Sequence, residues 1–354
     1  MKKTIWLVIG KFMPLHKGHE AMIRFADSMV DQLFVVVDNI RPCLFSEWYI
    51  PGEKRVEWIK KLLPNAKVVY IWAPTPQQPS EHIDFWNVWK NILLDITGVA
   101  PDYLVASEDY GFQLSEVLAC KYIPFDMDRD IFNVCASDIR KNLFTNFHYL
   151  SDVSKTDFIA KICIVWPEST GKSTLTKQLA KLFDTVSVPE YARTFTESYT
   201  KKSPNFQFNP SDMYSIWMGQ IALEESIIWQ ANRIMFSDTD VLLTTIWSKW
   251  LCDGEVETRL KDLVQKQKYD LYLLTYPDIE WQKDDIRYFP KEDERIKFFQ
   301  DTKDALDQIG AKYVVIKWEW QERLNNTKLV VDDFMKKYNY SYFVDKMWVV
   351  RCKL

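Results

Sequence analysis

Two apolar runs in this 354-residue chain each lead straight into a glycine-bearing polar loop and then into a helical pattern. The first is Ile5-Trp6-Leu7-Val8-Ile9, followed by Gly10-Lys11-Phe12-Met13-Pro14-Leu15-His16-Lys17-Gly18-His19. The second is Ile162-Cys163-Ile164-Val165, followed by Trp166-Pro167-Glu168-Ser169-Thr170-Gly171-Lys172-Ser173. A strand that ends in such a loop and opens a helix aims free backbone N–H groups and a positive dipole end at an anion. Two such units on one chain imply two α/β layers and two phosphate-handling sites.

The flanking pattern agrees. Apolar β-rich runs recur at Ile5–Ile9, Leu33–Val37, Val68–Trp72, Tyr103–Ala106 and Tyr122–Phe125. Between them lie helical patterns at Gly18–Val30, Gly52–Leu63, Ile83–Ile96 and Phe112–Cys120. The second half repeats the alternation, with strands at Ile162–Val165, Val186–Val188, Ile234–Ser237, Leu271–Leu274 and Tyr313–Ile316. Its helices are read at Lys172–Phe183, Ser211–Asn232, Ile296–Ile309 and Trp320–Tyr338. Alternation of this kind predicts two doubly wound parallel-sheet α/β domains. The polar stretch Leu150-Ser151-Asp152-Val153-Ser154-Lys155-Thr156-Asp157 is read as the junction, giving domains over 1–152 and 158–354.

Composition removes several classes. A formal charge of −4 with interspersed signs offers no field for nucleic acid or an anionic membrane. No apolar stretch approaches the ~20 residues that cross a bilayer, and no leader pattern follows Met1, so the cytoplasm is the expected location. Six cysteines, with no CxxC pair, argue against a disulfide framework or a structural zinc site.

His16-x-Gly18-His19 matches the HxGH signature of the nucleotidyltransferase superfamily. Its chemistry explains the spacing: a pyrophosphate-releasing transfer builds charge on phosphate oxygens, which two imidazoles and helix-start amides can meet. Gly10, Phe12 and Gly18 then belong to the ATP-binding loop, with Lys11, His16 and His19 catalytic. The segment Cys135-Ala136-Ser137-Asp138-Ile139-Arg140 resembles the ISxTxxR motif that closes such sites, Ser137 and Arg140 holding phosphate and Cys135 standing in a hydroxyl position. Ser107-Glu108-Asp109-Tyr110-Gly111 and Asp126-x-Asp128-Arg129 resemble the loops that precede it. Trp86 beside Asn87 suits a pyridinium ring and its carboxamide, although Trp86 and Trp89 also have core spacing.

The second loop resembles a P-loop with Trp166 in place of its first glycine. Lys172 then serves the phosphates and Ser173 a Mg²⁺ ion, while Glu168, Ser169, Thr170, Gly171 and Thr174 complete the ATP nest. Pro189-Glu190-Tyr191-Ala192-Arg193 is read as a substrate segment. Asp238 and Asp240 end an apolar run where a metal-side carboxylate belongs. Trp281-x-x-Asp284-Asp285-Ile286-Arg287 is read as a lid.

Taken together, these motifs resemble, over essentially the whole chain, the bifunctional NadR-type proteins. That resemblance implies an adenylyltransferase acting on nicotinamide mononucleotide and a kinase acting on nicotinamide riboside. It also implies NAD as product, ATP as co-substrate, Mg²⁺ as cofactor, Asp238 as base and metal ligand, Arg287 as catalytic, and Glu190, Tyr191, Arg193 and Asp240 in the riboside pocket. Met1 lies three residues before the first strand, so the helix-turn-helix repressor module of some members is expected to be absent. Small molecules are the expected partners, and homo-oligomerisation stays open. The competing readings are a nucleotide sensor with a degenerate second half, or a different HxGH transferase–kinase fusion.

Overall fold

A computed structural model describes residues 3–39, 49–165, 171–203, 206–266, 269–278, 291–317 and 320–338. The chain forms two compact units, residues 1–157 with 337–354, and residues 158–336.

The first unit is built on five parallel strands in the order β3-β2-β1-β4-β5, namely β1 Ile5–Gly10, β2 Gln32–Val37, β3 Lys67–Tyr70, β4 Tyr103–Ala106 and β5 Lys121–Pro124. Its helices are α1 Lys17–Asp27, α2 Gly52–Leu62, α3 Phe85–Thr97, α4 Tyr110–Leu118, α5 Ala136–Lys141 and α6 Asp152–Lys155. The central strand explains the continuous apolar run. Leu7 pairs with Phe34 on one side and Leu104 on the other, and is fully buried. A strand covered on both faces has no polar side to alternate with. Helix α3 packs Phe85, Trp89 and Leu93 on this sheet and ends at Gly98, whose φ of 75° is the left-handed stop.

The second unit has five parallel strands in the order β10-β9-β6-β8-β7. They are β6 Ala160–Val165, β7 Ser187–Val188, β8 Ile234–Asp238, β9 Leu271–Thr275 and β10 Tyr313–Ile316. The helices are α7 Lys172–Leu182, α8 Tyr191–Lys202, α9 Pro210–Ile227, α10 Val241–Leu251, α11 Thr258–Lys266, α12 Glu292–Gln308 and α13 Trp320–Tyr338. Helix α9 starts on a capping box, Asn209 accepting from Asp212 N at 3.1 Å and Asp212 accepting from Asn209 N at 3.0 Å. In both sheets the first strand is central and strand addition reverses direction about it. The crevice at that reversal is where open α/β sheets bind ligands.

The stretch read as the junction is built into the first unit up to its last residue. Ser151 and Ser154 are fully buried in the first unit. Ser151 Oγ donates to Glu20 at 2.7 Å and Ser154 Oγ donates to Leu15 O at 2.8 Å. Leu150 also forms a β-bridge with His16. These hydroxyls fasten the histidine loop, which composition could not reveal.

Candidate functional sites

In the first unit a cavity of about 930 Å³ opens at the C-terminal ends of β1 and β4. Gly10, Lys11, Phe12, His16, Gly18, His19, Trp86, Ser137 and Arg140 all line it. His16 is the N-cap of α1, its Nδ1 accepting from His19 N at 3.4 Å. The two imidazoles stack, ring centroids 3.6 Å apart and planes 22° from parallel. Phe12, at φ 50° and fully buried, meets His19 edge-on at 5.1 Å, so its ring supports the histidine from within the protein.

The electrostatics keep both rings neutral. Burial, helped by the charge of Arg129, lowers His16 to about 3. Burial first, then His16, Arg129 and Arg140, holds His19 well below its usual value, against a hydrogen bond to Pro14 that raises it. Neutral imidazoles donate hydrogen bonds to oxyanions without holding a counter-ion beforehand. From α5, Arg140 Nη1 donates to Met13 O at 2.5 Å, tying the closing segment to the histidine loop. Cys135, the N-cap of α5, places Sγ 2.7 Å from Ser137 Oγ and donates to Asp138 at 2.8 Å. The thiol thus occupies the hydroxyl position with two polar neighbours.

The aromatic pair divides its roles. Trp89 is 7% exposed and donates Nε1–H to Pro76 O at 3.1 Å, whereas Trp86 is half-buried in the cavity wall. Asn87 corrects the sequence reading. It is exposed, donates to Asp84 at 2.6 Å and does not line the cavity, because one helical step beyond Trp86 faces away.

Two residues escaped the sequence reading. Asp38 follows β2, is 4% exposed, lines the cavity and accepts from Thr75 Oγ at 2.7 Å. Burial raises its pKa, opposed by Thr75 and Gln77. A lone acid ending a buried strand was the available signal. Arg55, fully buried on α2, donates to Lys11 O at 2.6 Å, Asp38 O at 2.9 Å and Ile50 O at 3.0 Å. It pins the ends of β1 and β2 together, and nothing in a helical Glu-Lys-Arg run announces that.

In the second unit, Gly171 at φ 72° opens α7, and Lys172 behind it is 8% exposed. Lys172 Nζ lies 2.6 Å from Asp238 Oδ1 and 3.3 Å from Glu190 Oε2. Ser173 Oγ donates to Asp238 Oδ2 at 2.5 Å. Burial pulls Lys172 down, but Asp238 and then Glu190 outweigh it and raise its pKa. Burial, and then the charge of Asp238 against the pull of Lys172, raises Glu190. Between Asp238 and Asp240 sits Thr239 at φ 99°, a strained conformation for a β-branched residue. Such outliers gather at functional turns.

The remaining readings separate. Thr174 is exposed on the first turn of α7, next to Ser173. Tyr191 opens α8, and Arg193, two residues on, pairs with Glu197 at 2.9 Å on an exposed face. Its charge still bears on Glu190. Asp240 is 1% exposed, caps α10 by accepting from Leu243 N at 2.9 Å, and accepts from Tyr272 OH at 2.8 Å. Each of its oxygens accepts one hydrogen bond within the fold, which makes Asp240 the cap of α10. Burial raises it to about 6 despite those bonds. Trp166, Glu168, Ser169, Thr170 and the 284–287 lid with Arg287 lie outside the described residues.

A histidine-bearing loop on one sheet and a lysine–serine–aspartate cluster on the other define a nucleotidyltransferase-type domain followed by a P-loop domain. Residues 7–149 match the cytidylyltransferase-like family, and residues 161–323 match the AAA domain family. Over most of its length the chain is similar to proteins named NadR. It is 28% identical over 329 residues to the "Trifunctional NAD biosynthesis/regulator protein NadR" of Escherichia coli K12, covering 90% of this chain and 80% of the relative. The protein of the same name from Salmonella typhimurium LT2 is 27% identical over 327 residues, covering 89% and 79%. Two solved NadR structures, one in complex with NR and one with NAD and AMP-PNP, share the fold. Their TM-scores are 0.72 and 0.70 at 21% identity, each covering 95% of this chain and 97% of the other. Among the described residues no helix is long and apolar enough to cross a membrane.

Proposed function

We propose that this protein makes NAD in two steps, phosphorylating nicotinamide riboside in the second unit and adenylylating nicotinamide mononucleotide in the first. The observation that carries the reading is the pair of neutral, stacked imidazoles at the start of α1, facing a cavity that Arg140 and Ser137 also line. In the transfer, a phosphate oxygen of the mononucleotide attacks the α-phosphorus of ATP while the bond to the β-phosphate oxygen breaks and pyrophosphate leaves. The nucleophile is already an anion, so no general base is required. His16, His19, Lys11 and Arg140 stabilise the charge that develops, and Trp86 offers its ring face to the pyridinium.

In the phosphorylation, the riboside 5′-hydroxyl attacks the γ-phosphorus, its proton passes to a carboxylate, and ADP departs. Asp238 is the proposed acceptor, and Lys172 stabilises the transferring group. Ser173 and Asp238 present hard oxygen donors 2.5 Å apart, a set that suits Mg²⁺, which takes one or two protein ligands and completes its shell with phosphates and water. These two residues would hold the ion, and when bound it neutralises phosphate charge.

The test is NAD formation followed separately from riboside and from mononucleotide, each with ATP. Activity from mononucleotide alone would leave the transferase and discard the kinase. Activity from neither would discard the whole reading in favour of a nucleotide-sensing module.

A further inference from the structure

Helix α9 supplies none of the candidate site residues, yet two consecutive positions on it are directed at Tyr191. A β-carbon built at Gly219 would overlap the Tyr191 ring at Cε1 and Cδ1, so the ring rests against bare backbone. Gln220, 1% exposed, accepts the Tyr191 backbone N–H at 2.8 Å. That N–H opens α8 and has no partner within its own helix, and the Glu190 side chain makes no cap there.

The amide of Gln220 also reaches toward the other acid-bearing segment. Its Nε2 lies 3.4 Å from Ser237 Oγ, one residue before Asp238. Ser237 Oγ in turn lies 3.0 Å from Glu224 Oε1 and 3.1 Å from Thr239 O. Glu224 accepts from the Tyr269 hydroxyl and pairs with Lys161 Nζ at 3.6 Å. A buried polar chain thus joins the start of α8 to the strained turn after β8. Packing does not require it, since Met213, Ile216 and Trp217 already bury the apolar face of α9. Buried polar networks are costly unless every member is paired, and their return is a unique geometry.

We infer that Gly219 and Gln220 are positioning residues of the second site. Gly219 sets where the Tyr191 ring stands at the start of the segment proposed to shape the riboside pocket. Gln220 sets the separation of Glu190 and Asp238 about Lys172. The inference rests on the reading of the second unit as a riboside kinase.

The experiment uses the full chain, with mononucleotide adenylylation as the internal control for folding. Gly219→Ala ordinarily favours a helix interior, so any loss it causes comes from the displaced ring and not from propensity. It is expected to raise the riboside KM about tenfold, the scale of one lost aromatic contact, with the ATP KM and adenylylation unchanged. Gln220→Met is expected to lower kinase kcat about 10²-fold through misplaced groups, and Gln220→Glu, which keeps the acceptor for the Tyr191 N–H but loses the donor to Ser237, should recover only part of it. Unchanged riboside kinetics in Gly219→Ala and Gln220→Met overturn the inference alone. So does a parallel loss of both activities and of thermal stability, which marks a structural role only. If the unsubstituted protein phosphorylates no riboside, the kinase reading falls and takes the inference with it.

Discussion

On the proposed function the two units meet the same problem, binding polyphosphate, with opposite electrostatics. The first keeps its key side chains neutral: His16 and His19 are uncharged, stacked and held by backbone bonds in the wall of a large cavity. The second keeps its cation buried and doubly paired, Lys172 held by Asp238 and Glu190. Neutral donors need no rearrangement before an anion arrives. A paired lysine must exchange carboxylate for phosphate, so nucleotide binding in the second unit is coupled to breaking an internal ion pair. The first site is therefore preorganised, and the second is self-restrained until its ligand is present.

Lys172→Ala puts the greatest strain on this contrast. Removing the lysine strands the buried Asp238 carboxylate, with the partly exposed Glu190 losing the same partner, a loss of roughly 3 kcal/mol or more for the second unit. Riboside phosphorylation should fall at least ~10³-fold because the phosphoryl group loses its buried cation. Adenylylation of supplied mononucleotide should persist, as coupled assays would show. If it disappears in a folded protein, the sites are not independent.

His19→Ala is expected to cost roughly 10²-fold in adenylylation, the value of one preorganised donor. It should do so with little change in stability, because no charge is stranded. Near-normal turnover would remove the first site from the chemistry.

A smaller effect is expected at Trp166. With Lys172, Ser173 and Asp238 assembled as a P-loop requires, riboside phosphorylation by Trp166→Gly should match the parent to within about tenfold. A larger rise would mean that the tryptophan displaces the γ-phosphate.

The smallest effect concerns pH. A histidine whose folded value is depressed to about 3 stabilises the fold fully above the unfolded value of 6.5 and loses that contribution as pH falls between the two. His16→Asn keeps an N-cap acceptor and should flatten the acid side of the melting-temperature profile. Asp240, raised to about 6 from 3.8, works in reverse, its burial penalty relieved as pH falls through that interval. Asp240→Asn should therefore steepen the overall loss on acidification. Profiles identical to the parent in both variants would mean that neither group carries its shifted value.

Much of the architecture was legible. Among the described residues the ten strands fall where the apolar β-rich runs lie, and the central ones, such as β1, β6, β8 and β9, are continuous runs because they are buried on both faces. Helices α6, α8, α10 and α11 escaped: α6 spans four residues and α10 is apolar nearly all round, so neither carries a one-sided stripe, and caps such as Asp240 read equally well as ligands. Asn87 is read by type and neighbourhood, and the structure turns its side chain away from the cavity. Arg55 and Gln220 left no mark, since a buried arginine or glutamine becomes intelligible only once the carbonyls and amides around it are in place.

The amino-acid sequence by itself determined the two α/β units, the loops that end their central strands, and which residues at those loops could meet phosphate. These follow from local periodicity and from motifs that act through their own backbone. Only the tertiary structure decided that the histidines are neutral, that Lys172 is shared by two acids, that Asp240 is a cap, and that Ser151 and Ser154 fasten the first site. Each of those depends on burial and on partners distant in sequence, and desolvation and pairing have no value until the chain has closed around them.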